Sequence, residues 1–195
     1  MIDNFLRRPQ LLGEIVADLL RVLGALAVVF VLFRNGWTDA GIMAFTLPGL
    51  LLPKFVGLKP WWDACATSML LIAALSNISD LYARISGWDL FVHFVCTGIV
   101  AGLFVFALAN LGVFAYPTDS SQHQVQGCIL TVLMGLALAA VWEIIEWLGF
   151  EFITREIKVE YGDTITDMIA GGLGALVAGV IMTRRELLIR RLPAT

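Results

Sequence analysis

Residues 90–115, LFVHFVCTGIVAGLFVFALANLGVFA, decide the fold. A bilayer's hydrocarbon core is crossed by a helix of about 20 mostly apolar residues, and this run is longer than that, with His93 as its single basic side chain. Five further apolar runs surround it, at residues 15–33, 40–58, 64–80, 127–150 and 163–183. The run at 40–58 contains Pro48 and Pro53 and reads as a kinked span, since neighbouring helices can satisfy the carbonyls that a proline frees. The expected fold is all-α: a polytopic membrane bundle of about six transmembrane helices, forming a single integral membrane domain over residues 1–195.

Composition agrees. Of the 195 residues 59% are hydrophobic and 15% charged, against about half and a quarter in a soluble domain. Mean hydropathy is +0.85. Six spans take up roughly 120 residues at about 20 each, which leaves no room for a soluble domain. The net charge of −3 gives no support for a nucleic-acid binder, which would carry a basic stripe. No small-residue cleavage site follows the first run, which therefore reads as a retained helix in a mature chain beginning near Met1. Cys65, Cys96 and Cys128 are far apart, with no C-x-x-C pair, and read as small membrane-core residues. Glu14, Asp18 and Arg21 fall in the opening turns of the first span, where Arg21 is expected to snorkel outward.

Orientation follows the distribution of Lys and Arg. With six spans, one side holds Arg7, Arg8, Lys54, Lys59, Arg184, Arg185, Arg190 and Arg191, and the other Arg34, Arg84, Arg155 and Lys158. Both termini are thus expected in the cytoplasm. Trp37, Trp88 and Trp147 on the outside and Trp61 and Trp62 on the inside suit interfacial belts. The loop YPTDSSQHQV, residues 116–125, reads as polar, with His123 solvated.

Ionisable groups within spans are costly and mark functional sites. Here they gather at the expected outer ends of spans three to six: Asp80, Asp89 and His93, Glu143 and Glu146, Asp163 and Asp167. Spacings of three or four residues place each pair on one helix face. The rise of about 1.5 Å per residue puts His93, Glu143 and Asp167 in one layer, roughly 5–10 Å below the boundary. So many carboxylates in a low dielectric cannot all stay ionised, so they must hold protons or a cation. One imidazole among carboxylates suits Mg²⁺, Mn²⁺ or Ca²⁺, with Zn²⁺ reachable through His93 and two acids. The expected metal ligands are His93, Glu143, Asp167 and Asp163. Glu146 or Asp89 is the candidate general base, and Arg84 the group that binds an anionic headgroup. The plainer alternatives are that Asp89 and Asp163 cap helix N-termini and that Asp80 pairs with Arg84.

Other signatures are missing. The sequence has no H-E-x-x-H, no G-x-S-x-G with a partner histidine, and no second aspartate motif beside Asp163 and Asp167. Gly171, Ala175 and Gly179 recur every four residues and form a small-residue face for helix packing, not a phosphate loop.

Three segments carry a family resemblance: Asp80-Leu-Tyr82-Ala-Arg84-Ile-Ser-Gly-Trp88-Asp89-Leu-Phe-Val-His93, then Trp142-Glu143-Ile-Ile-Glu146-Trp147, then Gly162-Asp163-Thr164-Ile-Thr-Asp167 with its glycine-rich tail. In order and spacing they closely resemble the YjdF-type family of bacterial inner-membrane proteins, over roughly residues 48–179. A looser similarity connects them to the VanZ-like proteins, although the asparagine expected one turn after the final aspartate is missing. The resemblance implies a polytopic protein of the bacterial inner membrane and adds weight to Asp89, His93, Glu143, Glu146, Asp163 and Asp167 as one site. It names no substrate.

Three functions fit these residues. The first is a metal-dependent hydrolase or transferase that acts at the outer leaflet on a membrane lipid, or on a lipid-linked phosphate or glycan. The second is a cation or proton transporter, which needs access from both sides; the inner halves of spans three to six offer only Thr67, Ser68, Thr97 and Asn110. The third is a non-catalytic membrane partner or sensor.

Overall fold

The computed structural model describes residues 1–116, 120–155 and 157–189. Arg190 and Arg191, counted for orientation, and Glu156 lie outside the described residues. The described chain is all-α: α1 Ile2–Leu6, α2 Leu12–Arg34, α3 Trp37–Phe45, α4 Leu47–Val56, α5 Pro60–Ile78, α6 Leu81–Arg84, α7 Trp88–Asn110, α8 Ser121–Phe152 and α9 Tyr161–Arg184. Among the described residues, five stretches are long and apolar enough to cross a membrane: α2, α3 with α4, α7, α8 and α9. The expected third span becomes α5, which has 19 residues but is not among the five. Asp63, Thr67 and Ser68 in its first half and Ser76 and Asn77 near its end lower its apolar content.

Local chemistry sets the boundaries. The expected kinked span breaks at Thr46, whose N–H reaches back to the Met43 carbonyl at 3.2 Å; Pro48, having no N–H, starts the next helix instead of continuing the first. At the start of α2 the Glu14 carboxylate accepts the N–H groups of Gln10 at 2.8 Å and Leu11 at 3.1 Å. α7 stops at Asn110, short of the expected 115, and there the Tyr116 hydroxyl donates to Asn110 Oδ1 at 2.5 Å. α8 starts six residues earlier than expected because the Ser120 hydroxyl caps it by accepting the His123 N–H. His123 therefore lies in a helix and not in a solvated loop, and its Nδ1 is buried without a hydrogen-bond partner.

The chain divides into two compact units, Met1–Ala74 with the segment from Arg185, and Leu75–Arg184. In the first, α1 lies on α4 through a stack of Phe5 on Phe55 at 4.3 Å, and Asn4 donates to the Phe55 and Val56 carbonyls at 3.3 Å. Arg21 does not snorkel. It is 8% exposed, and its guanidinium donates to the Leu50 carbonyl at 2.9 Å, to Asp18 at 2.9 Å and to Asp63. Burial in an apolar unit forces these donors onto partners inside the protein.

The second unit is built on α7, α8 and α9, with α9 packed on both others. The small-residue face of α9 allows this closeness. A Cβ on Gly98 of α7 would come within 2.6 Å of the Gly174 carbonyl oxygen, and one on Gly174 would strike the Phe94 carbonyl. On the α8 side, Gly179 faces Cys128 and Ala175 faces Gly135.

Candidate functional site

α7 and α9 start, and α8 ends, at the same end of this three-helix unit, so the acids that open or close each helix share one layer. Asp89 is in the first turn of α7 with His93 one turn deeper; Asp163 is in the first turn of α9 with Asp167 one turn deeper. Exposure falls with depth: the Asp89 side chain is 40% exposed, but His93 is 7% and Asp167 3%.

His93 is the hub. Its Nε2 lies 3.5 Å from Asp89 Oδ1 and 4.0 Å from Asp167 Oδ2. Asp89, His93 and Asp167 offer ligand atoms that all lie within 4.8 Å of one another, and so do His93, Glu143 and Glu146. Glu143 Oε1 is buried and has no hydrogen-bond partner. Trp142, one turn before Glu146, hydrogen-bonds its carboxylate. Four carboxylates thus surround one imidazole, and each of the two trios is compact enough to close on an ion.

Not every expected residue joins them. Asp163, expected as a metal ligand, accepts from Lys158 Nζ at 2.5 Å, and that hydrogen bond, followed by the carboxylate's charge, holds the Lys158 ammonium above the usual lysine range. Arg84, expected to bind an anionic headgroup, lies 3.6 Å from Asp80, with both side chains about 70% exposed. That is the plain i,i+4 pairing. Asp89, expected as a base, sits with His93 and Asp167 in one of the two trios. Glu143, Glu146, His93 and Asp167 are placed together as their spacings suggested.

Two residues outside the expected set bear on the site. Tyr82 on α6 is half-buried, and burial, followed by the neighbouring acids Asp89 and Glu146, pushes its phenol up, so it keeps its proton beside the cluster. Trp88 donates to the hydroxyl of fully buried Ser76 at 3.0 Å and packs on Phe91 at 5.3 Å, fixing the start of α7 next to Asp89. The sequence signal for both was their presence in the Asp80–His93 segment.

No curated protein and no solved structure matches the chain. Residues 16–187 match the family described as "Predicted membrane protein (DUF2238)", which is the YjdF-type family. That match takes in every helix from most of α2 to the end of α9 and all the clustered acids, so the chain belongs to this predicted membrane protein family.

Proposed function

We propose that the protein is a membrane-embedded, metal-dependent hydrolase or transferase acting on a lipid or lipid-linked phosphate or glycan at the outer leaflet of a bacterial inner membrane, with both termini in the cytoplasm. One observation carries this reading: two compact ligand trios converge on buried His93, and a buried oxygen of Glu143 in one of them has no hydrogen-bond partner. A buried carboxylate without a donor calls for a proton or a cation. Asp89, His93 and Asp167 suit a divalent ion that accepts an imidazole, Zn²⁺ or Mn²⁺ before Ca²⁺. Such an ion would polarise a phosphoryl or carbonyl oxygen or lower the pKa of a bound water. Glu143 and Glu146 lie beside His93, where a carboxylate can take the proton of an attacking water or hydroxyl.

The packing below the cluster supports a one-sided site over a conduit. Gly98 lies about 7.5 Å below His93 at the rise of 1.5 Å per residue, and its close approach to Gly174 leaves no passage between α7 and α9. The test is the metal content of purified protein, together with metal-dependent release of phosphate or sugar from a panel of lipid-linked substrates. Stoichiometric divalent metal that His93→Ala or Asp167→Asn removes, together with turnover lost in the same variants, supports the reading. Metal-free wild-type protein that stays inert when metal is added back overturns it, and cation flux through liposomes would favour transport.

A further inference from the structure

The two trios share one residue, and this is difficult to reconcile with a single ion. One divalent ion held by Asp89, His93 and Asp167 uses two of the four carboxylates and leaves Glu143 and Glu146 facing His93 outside its ligand set. The nearby cations named above already face other carboxylates, Lys158 facing Asp163 and Arg84 facing Asp80. The oxygen without a hydrogen-bond partner, Glu143 Oε1, belongs to the half that this ion does not use. Two divalent charges would balance four carboxylates.

We propose that the cluster holds two divalent cations, one at Asp89, His93 and Asp167 and the second at Glu143 and Glu146 beside it, and that the pair takes a phosphate or diphosphate group. The proposal rests on the metal-dependent reading above and sharpens it to a substrate class. A neutral imidazole offers one lone pair, so His93 serves as a full ligand to one ion only. The second ion rests on the two glutamates and takes its remaining ligands from oxygens that it shares with the first. A phosphoryl group would supply such oxygens, and paired divalent ions would neutralise it while a water or hydroxyl attacks phosphorus; with Glu143 and Glu146 engaged as ligands its proton passes to solvent at the mouth, and the leaving oxygen departs with the bonding pair and takes up a proton there. Lys158, on the short chain before α9 and 64% exposed on its side chain, lies beside Asp163 at the mouth of the same cluster, and can turn from that carboxylate to the incoming anion.

The experiment is a Mn²⁺ titration of the full-length protein in detergent, read by bound-metal analysis and electron paramagnetic resonance, with and without inorganic phosphate. The expected result is about two Mn²⁺ per chain with a spin-coupled signal, as for a pair of ions about 3.5–4 Å apart. Phosphate should tighten the second equivalent, and the double variant Glu143→Gln/Glu146→Gln should fall to a single ion with the hyperfine pattern of isolated Mn²⁺. One uncoupled ion per wild-type chain overturns the second cation and leaves the metal-dependent reading standing; no bound Mn²⁺ in a protein that also carries no other divalent metal overturns both. If the double variant does not fold, the wild-type stoichiometry and coupling decide alone. A coupled pair indifferent to phosphate overturns the assigned substrate class.

Discussion

Each unit of this protein carries a knot of charged side chains within apolar helices, but the two knots are built differently. In the first unit Arg7 lies 2.6 Å from Glu14, Lys54 2.7 Å from Asp18, and Arg21 pairs with both Asp18 and Asp63. Three bases meet three acids, and Thr67 and the Leu50 carbonyl take up further donors of Arg21. In the second unit, Asp89, Glu143, Glu146 and Asp167 face one imidazole. Burying charge is expensive in both places. The first knot recovers that cost internally through pairing, and this is the signature of a structural core. The second cannot be neutral without protons or cations from outside. Charge balance, more than the number of buried ionisable groups, separates a scaffold from a candidate binding site.

The comparison is broken most directly at Arg21. Arg21→Leu leaves Asp63, with a side chain 7% exposed, without its partner and frees the Leu50 carbonyl. The expected loss is about 3–5 kcal/mol, the usual cost of removing one member of a buried pair, seen as a large drop in thermal unfolding temperature in detergent. Arg21→Leu/Asp63→Leu should recover much of it. A single variant as stable as wild type would mean that the network is not structural.

In the second unit the packing beneath the acids should carry the stability, and the acids themselves should not. Gly174→Ala drives a methyl group into the Phe94 carbonyl, which helix backbone cannot easily yield, and should cost about 1–3 kcal/mol by overpacking. Asp167→Asn should act in the opposite direction when metal is chelated. It removes one like charge from a crowded, low-dielectric cluster, so the chelated variant should unfold later than chelated wild type, by roughly 1 kcal/mol. With Mn²⁺ present the order reverses, because the variant loses a ligand. If Asp167→Asn destabilises the chelated protein as Arg21→Leu does, the acid cluster is a paired core after all, and the contrast between the units disappears.

Legibility in the sequence followed the range of the interactions. The helical spans could be read from apolar runs, and the meeting of His93, Glu143, Glu146 and Asp167 from spacings of three or four residues at helix ends whose sides alternate along the chain. Two assignments within the cluster were displaced by partners in loops or one turn away: Lys158, five residues before Asp163, and Asp80, four before Arg84. The first unit's network was unreadable because Arg21 finds Leu50, Asp63 and Thr67 at separations of 29, 42 and 46 residues. Arg21 considered alone, in the opening turns of its helix, suggests snorkelling. The available signal was joint: an aspartate opening α5, a lysine beside Pro53 and an arginine in α2, each unexplained within its own helix. The break at Thr46 was visible as prolines, but only the backbone shows that it makes two helices of one span.

The smallest effect is expected at Arg84, and it tests the boundary of the second knot. Arg84 and Asp80 are 70% and 71% exposed on their side chains and lie 3.6 Å apart, the weakest class of ion pair, in which solvent screening and side-chain entropy offset the attraction. Arg84→Ala should change stability by less than about 0.5 kcal/mol and leave Mn²⁺ stoichiometry unchanged, since neither trio includes it. Its neighbour on α6, Tyr82, is half-buried beside the acids and should respond differently. Tyr82→Phe removes a proton donor beside Asp89 and Glu146, and is expected to weaken metal or phosphate binding without loss of fold, read by the same titration. If Arg84→Ala instead abolishes phosphate binding while Lys158→Ala does not, the anion enters over α6 and not over the start of α9, and the negative knot opens on the side of the exposed pair.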